Sequence, residues 1–217
     1  MQHDLFDTRA AGPGEPRPLA DGAWHLPGFA LEGELALLAA VAAISAAAPF
    51  RQMDTPGGYR MSVAMSNAGS LGWVSDAHGY RYATIDPLSG QPWPALPECM
   101  LQLAQAAAAA AGFAHFQPDA CLVNRYAPGS KLALHQDRDE RDFSAPIVSV
   151  SLGLPAVFLL GGLRRSDPTQ KVLLQHGDVV VWGGPARLRY HGVSTLKPGL
   201  HPLLGAQRIN LTLRRAA

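Results

Sequence analysis

Charge is scarce in this 217-residue sequence. Acidic and basic residues make up 16% of it, and 18 Lys+Arg against 17 Asp+Glu leave a formal net charge of +1. No strong field of one sign marks the surface as a general polyanion binder, so any nucleic-acid contact must come from a local basic groove. Cysteine is nearly absent. Cys99 and Cys121 stand far apart without metal-ligand spacing, which excludes a disulfide framework and fits buried thiols in a reducing compartment. No apolar run reaches the roughly 18 residues of a membrane span, and the alanine run 106–111 is too short and too weakly apolar. The opening MQHDLFDTR is acidic and polar rather than a basic region followed by an apolar core, so a soluble, cytoplasmic protein is expected. HExxH, the mark of a helical zinc site, and GxSxG, the mark of a nucleophile elbow, are both missing.

Apolar residues account for 47% of the chain, enough for one sizeable core at this length. Residues 1–23, with Pro13, Pro16 and Pro18, are expected to be a flexible leader, and 24–217 a single domain. Trp24–Phe29 reads as a first strand. A helix is predicted over 32–48, because Leu37, Val41, Ile44 and Ala48 form one stripe and Pro49 ends it. Residues 50–93 mix aromatics and methionines with Gly, Ser, Asn and Asp, which suggests short hairpins and loops outside the core. That composition suits either ordinary aromatic packing or an adaptable recognition lid that stacks flat ligands. A second helix is predicted over 97–111, with Pro97 at its first position and Gly112 just past its end. From Ala120 the pattern turns to short strands separated by Gly/Pro turns: 120–126, 147–152, 156–160, 172–174, 178–182, 188–191 and 207–214. These imply an antiparallel sandwich or barrel.

The chemistry centres on His135-Gln136-Asp137. In an extended segment the imidazole and the carboxylate point to one side. His191, in RLRYHG, follows after 53 intervening residues (191 − 137 − 1), room for about four strands. In a jelly roll that separation can return the chain beside the first pair. Two histidines and one carboxylate make a facial triad that leaves positions open on non-haem Fe(II); either histidine could equally be a satisfied structural imidazole. The last strand, RINLTLR, sets Arg208, Asn210, Thr212 and Arg214 against Ile209, Leu211 and Leu213. Its polar face is either a solvated surface or an inward cradle for a dicarboxylate, since arginine pairs bidentately with carboxylates. Leu122, Asn124 and Tyr126 share one face of the strand 120–126.

These motifs resemble the AlkB family of Fe(II)/2-oxoglutarate-dependent nucleic-acid dealkylases. The resemblance runs over residues 49–215, through PFRQMDTPGGYRMSVAMSNAG, NRYAPGSKLALHQDRDE, PIVSVSLGLPAVF, HGDVVVWGG and RINLTLR. It implies a mainly β, α+β fold: a double-stranded β-helix (jelly roll) core with flanking helices and an N-terminal β/loop nucleotide-recognition lid over 50–93. It implies Fe(II), 2-oxoglutarate and O2 as cofactor and cosubstrates, with His135, Asp137 and His191 as iron ligands. Asn124, Tyr126 and Arg208 match cosubstrate contacts, with Asn210 and Arg214 as further polar contacts nearby. Trp73 would sandwich a damaged base against His135, Tyr80 and Tyr82 would touch the nucleotide, Asp139 would face the base edge, and Arg165 would stand at the pocket. Met61, Met65 and Lys131 would line the same region, and Thr55 and Tyr59 would meet the backbone. The implied activity is oxidative demethylation of 1-methyladenine and 3-methylcytosine in DNA, preferably single-stranded, with duplex DNA and RNA as further candidates, by a monomer. The alternatives are a 2-oxoglutarate oxygenase hydroxylating a protein or small molecule, and a non-catalytic cupin-like metal-binding module.

Overall fold

The computed structural model describes residues 14–217. In chain order the elements are β1 (Arg17–Ala20), β2 (Ala23–Leu26), α1 (Glu34–Ala47), β3 (Arg51–Asp54), β4 (Arg60–Gly69), β5 (Gly72–Asp76), β6 (Gly79–Ala83), α2 (Glu98–Ala110), β7 (Ala120–Tyr126), β8 (Leu132–His135), β9 (Ile147–Gly153), β10 (Ala156–Leu160), β11 (Gln170–Leu174), β12 (Val179–Trp182), β13 (His191–Val193) and β14 (Arg208–Arg214). An eight-stranded sheet runs β1-β2-β12-β9-β14-β7-β4-β3. A four-stranded sheet runs β11-β10-β13-β8, and β5-β6 is a separate hairpin. The strands pair antiparallel, as the short-strand pattern predicts. This is the jelly-roll core with two helices on one side. Among the described residues no helix is long and apolar enough to cross a membrane.

Period-two alternation decides what each face of the large sheet does. Cys121, Val123, Val148, Val150, Leu152, Val179, Val181, Ile209, Leu211 and Leu213 pack in one cluster with Leu37, Val41 and Ile44 of α1 and Met100 and Ala104 of α2. The alternate residues (Asn124, Tyr126, Ser149, Ser151, Arg208, Asn210 and Arg214) are also buried, so they face the interior of the roll. The helix stripe expected at Leu37, Val41 and Ile44 is the buried one. A polar face on a strand buried on both sides cannot be a solvated surface.

Three expectations need correction. Residues 1–13 of the expected leader lie outside the described residues, but 17–20 form an edge strand. Pro18 is tolerated there because β1 has a neighbour, β2, on one side only. The segment 50–93 is not loops outside the core. β3 and β4 extend the large sheet, with Met65 opposite Asn124, and Val63, Met65, Ala68 and Trp93 are buried. Only the β5-β6 hairpin forms a sheet of its own, and its Val74 is buried with Met65 and Trp93. The strand expected to end at His191 instead begins there. Gly184–Ala186 form a 3-10 turn, and the arginines between it and His191 hold carbonyl and carboxylate groups rather than a neighbouring strand.

The chain leaving the hairpin is tied to β3. Asp86 accepts hydrogen bonds from Arg51, from the Leu88 N–H at 3.0 Å and from the Ser89 hydroxyl at 3.1 Å. Burial tends to raise the Asp86 pKa, but Arg51 and the Leu88 and Ser89 donors outweigh it and hold the carboxyl below its ordinary value. The stabilisation is therefore complete above the ordinary carboxylate pKa and is lost as pH falls through the lower, folded value. Asp86→Asn is expected to flatten the acid limb of thermal stability, measured as Tm between about pH 2 and 6. An unchanged acid limb would remove Asp86 as an anchor.

Candidate active site

His135 ends β8 and His191 opens β13, and the two stand directly opposite in the antiparallel register. Gly192 makes that approach feasible: a Cβ there would lie 2.7 Å from the Leu132 carbonyl oxygen. Four strands, β9 to β12, lie between the two histidines in sequence. Each imidazole Nδ1 is within hydrogen-bond distance of a carbonyl two residues back, His135 to Ala133 at 2.9 Å and His191 to Arg189 at 3.0 Å. A Nδ1–H donor in both rings leaves each Nε2 lone pair free for ligation. Asp137, just past the end of β8, completes the cluster, with His135 Nε2 3.6 Å from Oδ1 and His191 Nε2 3.6 Å from Oδ2. One atom from each residue lies within 4.8 Å of the others, and among the described residues this is the one such group of three.

The protonation states of His191 and Asp137 suit a metal. Burial and the neighbouring His135 hold the His191 pKa below its ordinary value, so the ring is neutral, the form that ligates. Burial pulls His135 down, but Asp137 and the Ala133 carbonyl push it up further. Burial would raise Asp137, yet Arg214 and the two histidines hold its carboxyl well below the ordinary range. The set is two neutral-capable imidazoles and one carboxylate, the donors of a non-haem Fe(II) facial triad.

Arg208 is the second element. Its side chain is buried on the inner face of β14, with Nη2 donating to Ser151 Oγ at 3.0 Å and the guanidinium 4.9 Å from the Tyr126 ring centroid. Its Nε and Nη1, and Asn124 Oδ1, have no partner. Arg208 has no carboxylate partner among the described residues. Burying an uncompensated cation is costly, so an arginine with two free donors beside Asn124 and Tyr126 fits the carboxylate end of a 2-oxoglutarate molecule.

Asn210 and Arg214, grouped with Arg208 in the sequence, have other commitments. Asn210 Nδ2 donates to Ser149 Oγ at 2.8 Å and to the Val150 carbonyl at 2.9 Å. Arg214 donates to Asp137 Oδ2 from Nε at 3.0 Å and from Nη2 at 2.7 Å. It thus bonds the carboxylate of the cluster itself. Two residues that the sequence did not single out join it. Glu140 accepts from Tyr82 Oη at 2.7 Å and from Arg187 Nη2 at 3.0 Å. Arg187 also donates to the Asp137 carbonyl at 2.7 Å and the Ala145 carbonyl at 3.1 Å. Trp182, whose ring centroid is 4.8 Å from that of His191, is a third. The sequence signal was faint: Glu140 sits in a charged run and Arg187 among other arginines.

The β5-β6 hairpin meets the cluster through the residues after Asp137. Trp73 Nε1 donates to Asp139 Oδ2 at 2.8 Å, and the Trp73 and Tyr80 rings stack at 5.6 Å, 13° apart. Tyr82 reaches Glu140 and so faces inward rather than out. Arg165 is exposed, 5.4 Å above the ring of Tyr190, the residue before His191. Met61 is half-buried beside Met65, while Lys131 and Tyr59 are exposed. Thr55 Oγ1 accepts the Tyr59 N–H at 3.1 Å within the β3–β4 turn.

This roll, with its His-Asp-His cluster and buried arginine, defines a class. The model of the 2OG-Fe(II) oxygenase superfamily matches residues 22–214, and the enzyme is an Fe(II)/2-oxoglutarate-dependent dioxygenase that uses O2. The chain is 62% identical over 214 residues to the alpha-ketoglutarate-dependent dioxygenase AlkB of Salmonella typhimurium, covering 99% of this chain and 98% of that one. It is 58% identical over 199 residues to the protein of the same name from Escherichia coli, covering 92% of each. The solved structure of OsALKBH1 superposes with a TM-score of 0.81 at 29% identity, covering 93% of this chain and all of that one. The chain belongs to the AlkB family.

Proposed function

We propose that this dioxygenase repairs DNA by oxidative demethylation of 1-methyladenine and 3-methylcytosine, preferably in single strands, with RNA as a further substrate. The observation that carries the reading is the Trp73–Asp139 hydrogen bond. It joins an aromatic face to a carboxylate two residues along the chain from Asp137. A methylated base of this type is cationic and flat: the ring stacks on the aromatic face, and the carboxylate favours the charge. The methyl group also blocks pairing, so extruding the base costs less than for an intact pair.

In this reading His135, Asp137 and His191 hold the iron. Arg208, Asn124 and Tyr126 seat 2-oxoglutarate, with Asn210 ordering that pocket and Arg214 orienting Asp137. Trp73 and Tyr80 stack on the base, Asp139 faces its edge, Tyr82 steadies the hairpin from Glu140, and Arg165 meets a phosphate. The bound iron supplies the oxidation, in which 2-oxoglutarate and O2 give succinate and CO2 and the N-methyl group leaves as formaldehyde. Residues 24–217 act as one domain, with the β5-β6 hairpin and the β3–β4 turn as the lid. One chain supplies every group of the site, and in this reading the enzyme works as a monomer in the cytoplasm.

The test is formaldehyde release from 1-methyladenine and 3-methylcytosine oligonucleotides, single-stranded, duplex and RNA, with Fe(II) and 2-oxoglutarate. Trp73→Ala is expected to raise KM for the oligonucleotide about 10- to 100-fold, the worth of one stacked base, and to leave 2-oxoglutarate binding unchanged. Turnover on peptides but not on oligonucleotides would replace this reading with a protein oxygenase. Equal loss of oligonucleotide and 2-oxoglutarate binding in Trp73→Ala would make Trp73 a folding residue.

A further inference from the structure

Four charged side chains make a buried set around Asp137 of the cluster: Arg187 and Arg214, Asp137 and Glu140, with exposures of 3, 6, 9 and 6%. The cations balance the anions one for one, but the assignment is contested. Arg214 Nε lies 3.0 Å from Asp137 Oδ2 and 3.3 Å from Glu140 Oε1. Both carboxylates therefore compete for Arg214. Arg187 meets the other Glu140 oxygen, Oε2, at 3.0 Å, and Tyr82 Oη donates to Oε1 at 2.7 Å.

We propose that Arg187 is a positioning residue of the metal site: by neutralising Glu140 it leaves Arg214 to Asp137, and so sets where the Asp137 carboxylate points. The inference rests on His135, Asp137 and His191 being the iron ligands. With Arg214 held on Oδ2, Asp137 presents Oδ1 toward His135 Nε2. Without Arg187, one buried cation serves two buried anions. A buried charge stripped of its partner draws in the nearest counter-charge, and for Glu140 that is Arg214. Asp137 then loses the bonds that fix its rotamer. The guanidinium fork also ties the Asp137 and Ala145 carbonyls, so a tethering role and a charge role both predict that losing Arg187 hurts. They differ in what rescues it.

The experiment is calorimetric titration with Mn(II), which reads the site without turnover. It uses the full chain as wild type, Arg187→Gln, Arg187→Lys, Glu140→Gln and the double variant Arg187→Gln/Glu140→Gln, with Tm measured on each. Arg187→Gln is expected to weaken Mn(II) binding about 10- to 100-fold, as for other groups that orient a ligand. Removing the competing charge in the double variant is expected to restore affinity to within about threefold of wild type. Arg187→Lys, which keeps the charge and loses the fork, should lie within about fivefold. Wild-type affinity in Arg187→Gln overturns the proposal, and so does a double variant or a lysine variant as weak as Arg187→Gln, which would make the tether the whole effect. Should Arg187→Gln fail to fold, the lysine and double variants decide by the same limits. A wild-type protein that binds no Mn(II) sinks the metal reading instead, and this inference with it.

Discussion

Asp137→Asn and His135→Ala are both expected to abolish formaldehyde release, and only the first to destabilise the metal-free fold. The histidine ring is one-third exposed and its one protein hydrogen bond goes to the Ala133 carbonyl. Removing it deletes a ligand and leaves no buried charge behind, so Tm should move by no more than about 2 °C. Asp137 is different, because Arg214 spends two donors on it in a buried setting. Asparagine keeps the shape and removes the charge. Stripping one partner from a buried pair costs about 3–5 kcal/mol; part of this is recovered through Glu140, 3.3 Å from Arg214. Up to roughly 10 °C of Tm is therefore at stake in the metal-free protein. Thermal melts in chelator, beside formaldehyde assays, check both halves. Turnover retained by His135→Ala would remove the metal assignment. Equal Tm for the two variants would show that Arg214 does not depend on Asp137.

Arg208→Met is expected to raise the KM for 2-oxoglutarate by at least about 30-fold, because truncating one partner of a desolvated charge pair costs about 2–5 kcal/mol. The same substitution should not destabilise the protein held without cosubstrate, and should raise its Tm by a few degrees. Methionine fills the volume of the arginine stem, while the Nε and Nη1 atoms that it removes have no partner. Each orphaned buried donor costs about 1–3 kcal/mol, and replacing an unpaired buried charge by an apolar chain is neutral or stabilising. Opposite signs for binding and stability mark a residue kept for a ligand. A loss of both would make Arg208 a core residue, and an unchanged KM would move the 2-oxoglutarate site elsewhere.

Local chemistry made much of this protein legible before any fold was known. The alternation in ACLVNRY and RINLTLR is a period-two signal that needs no tertiary information, and both strands have the expected buried faces. The stripe Leu37, Val41, Ile44 and the left-handed Gly112 after α2 bound the two helices in the same way. The His135–Asp137 spacing and the return to His191 are also properties of the chain. Where local patterning misled, long-range pairing was the cause. Pro18 and the polar 50–69 stretch look like loop, yet β1 and β4 are strands because β2 and β7 offer them an edge.

Only the tertiary structure decided what each polar residue on an inner face does. Arg208, Asn210 and Arg214 are equivalent in sequence, at even spacing on one face of one strand. In the fold Arg214 ends beside Asp137, Asn210 faces Ser149, and Arg208 is left with free donors. Glu140 and Arg187 gain their roles the same way, from residues 47 apart meeting in the interior. The physical reason is one of range. Side-chain direction follows from backbone periodicity, which a few neighbouring residues encode. The partner of a buried charge is set by which distant strands close over it.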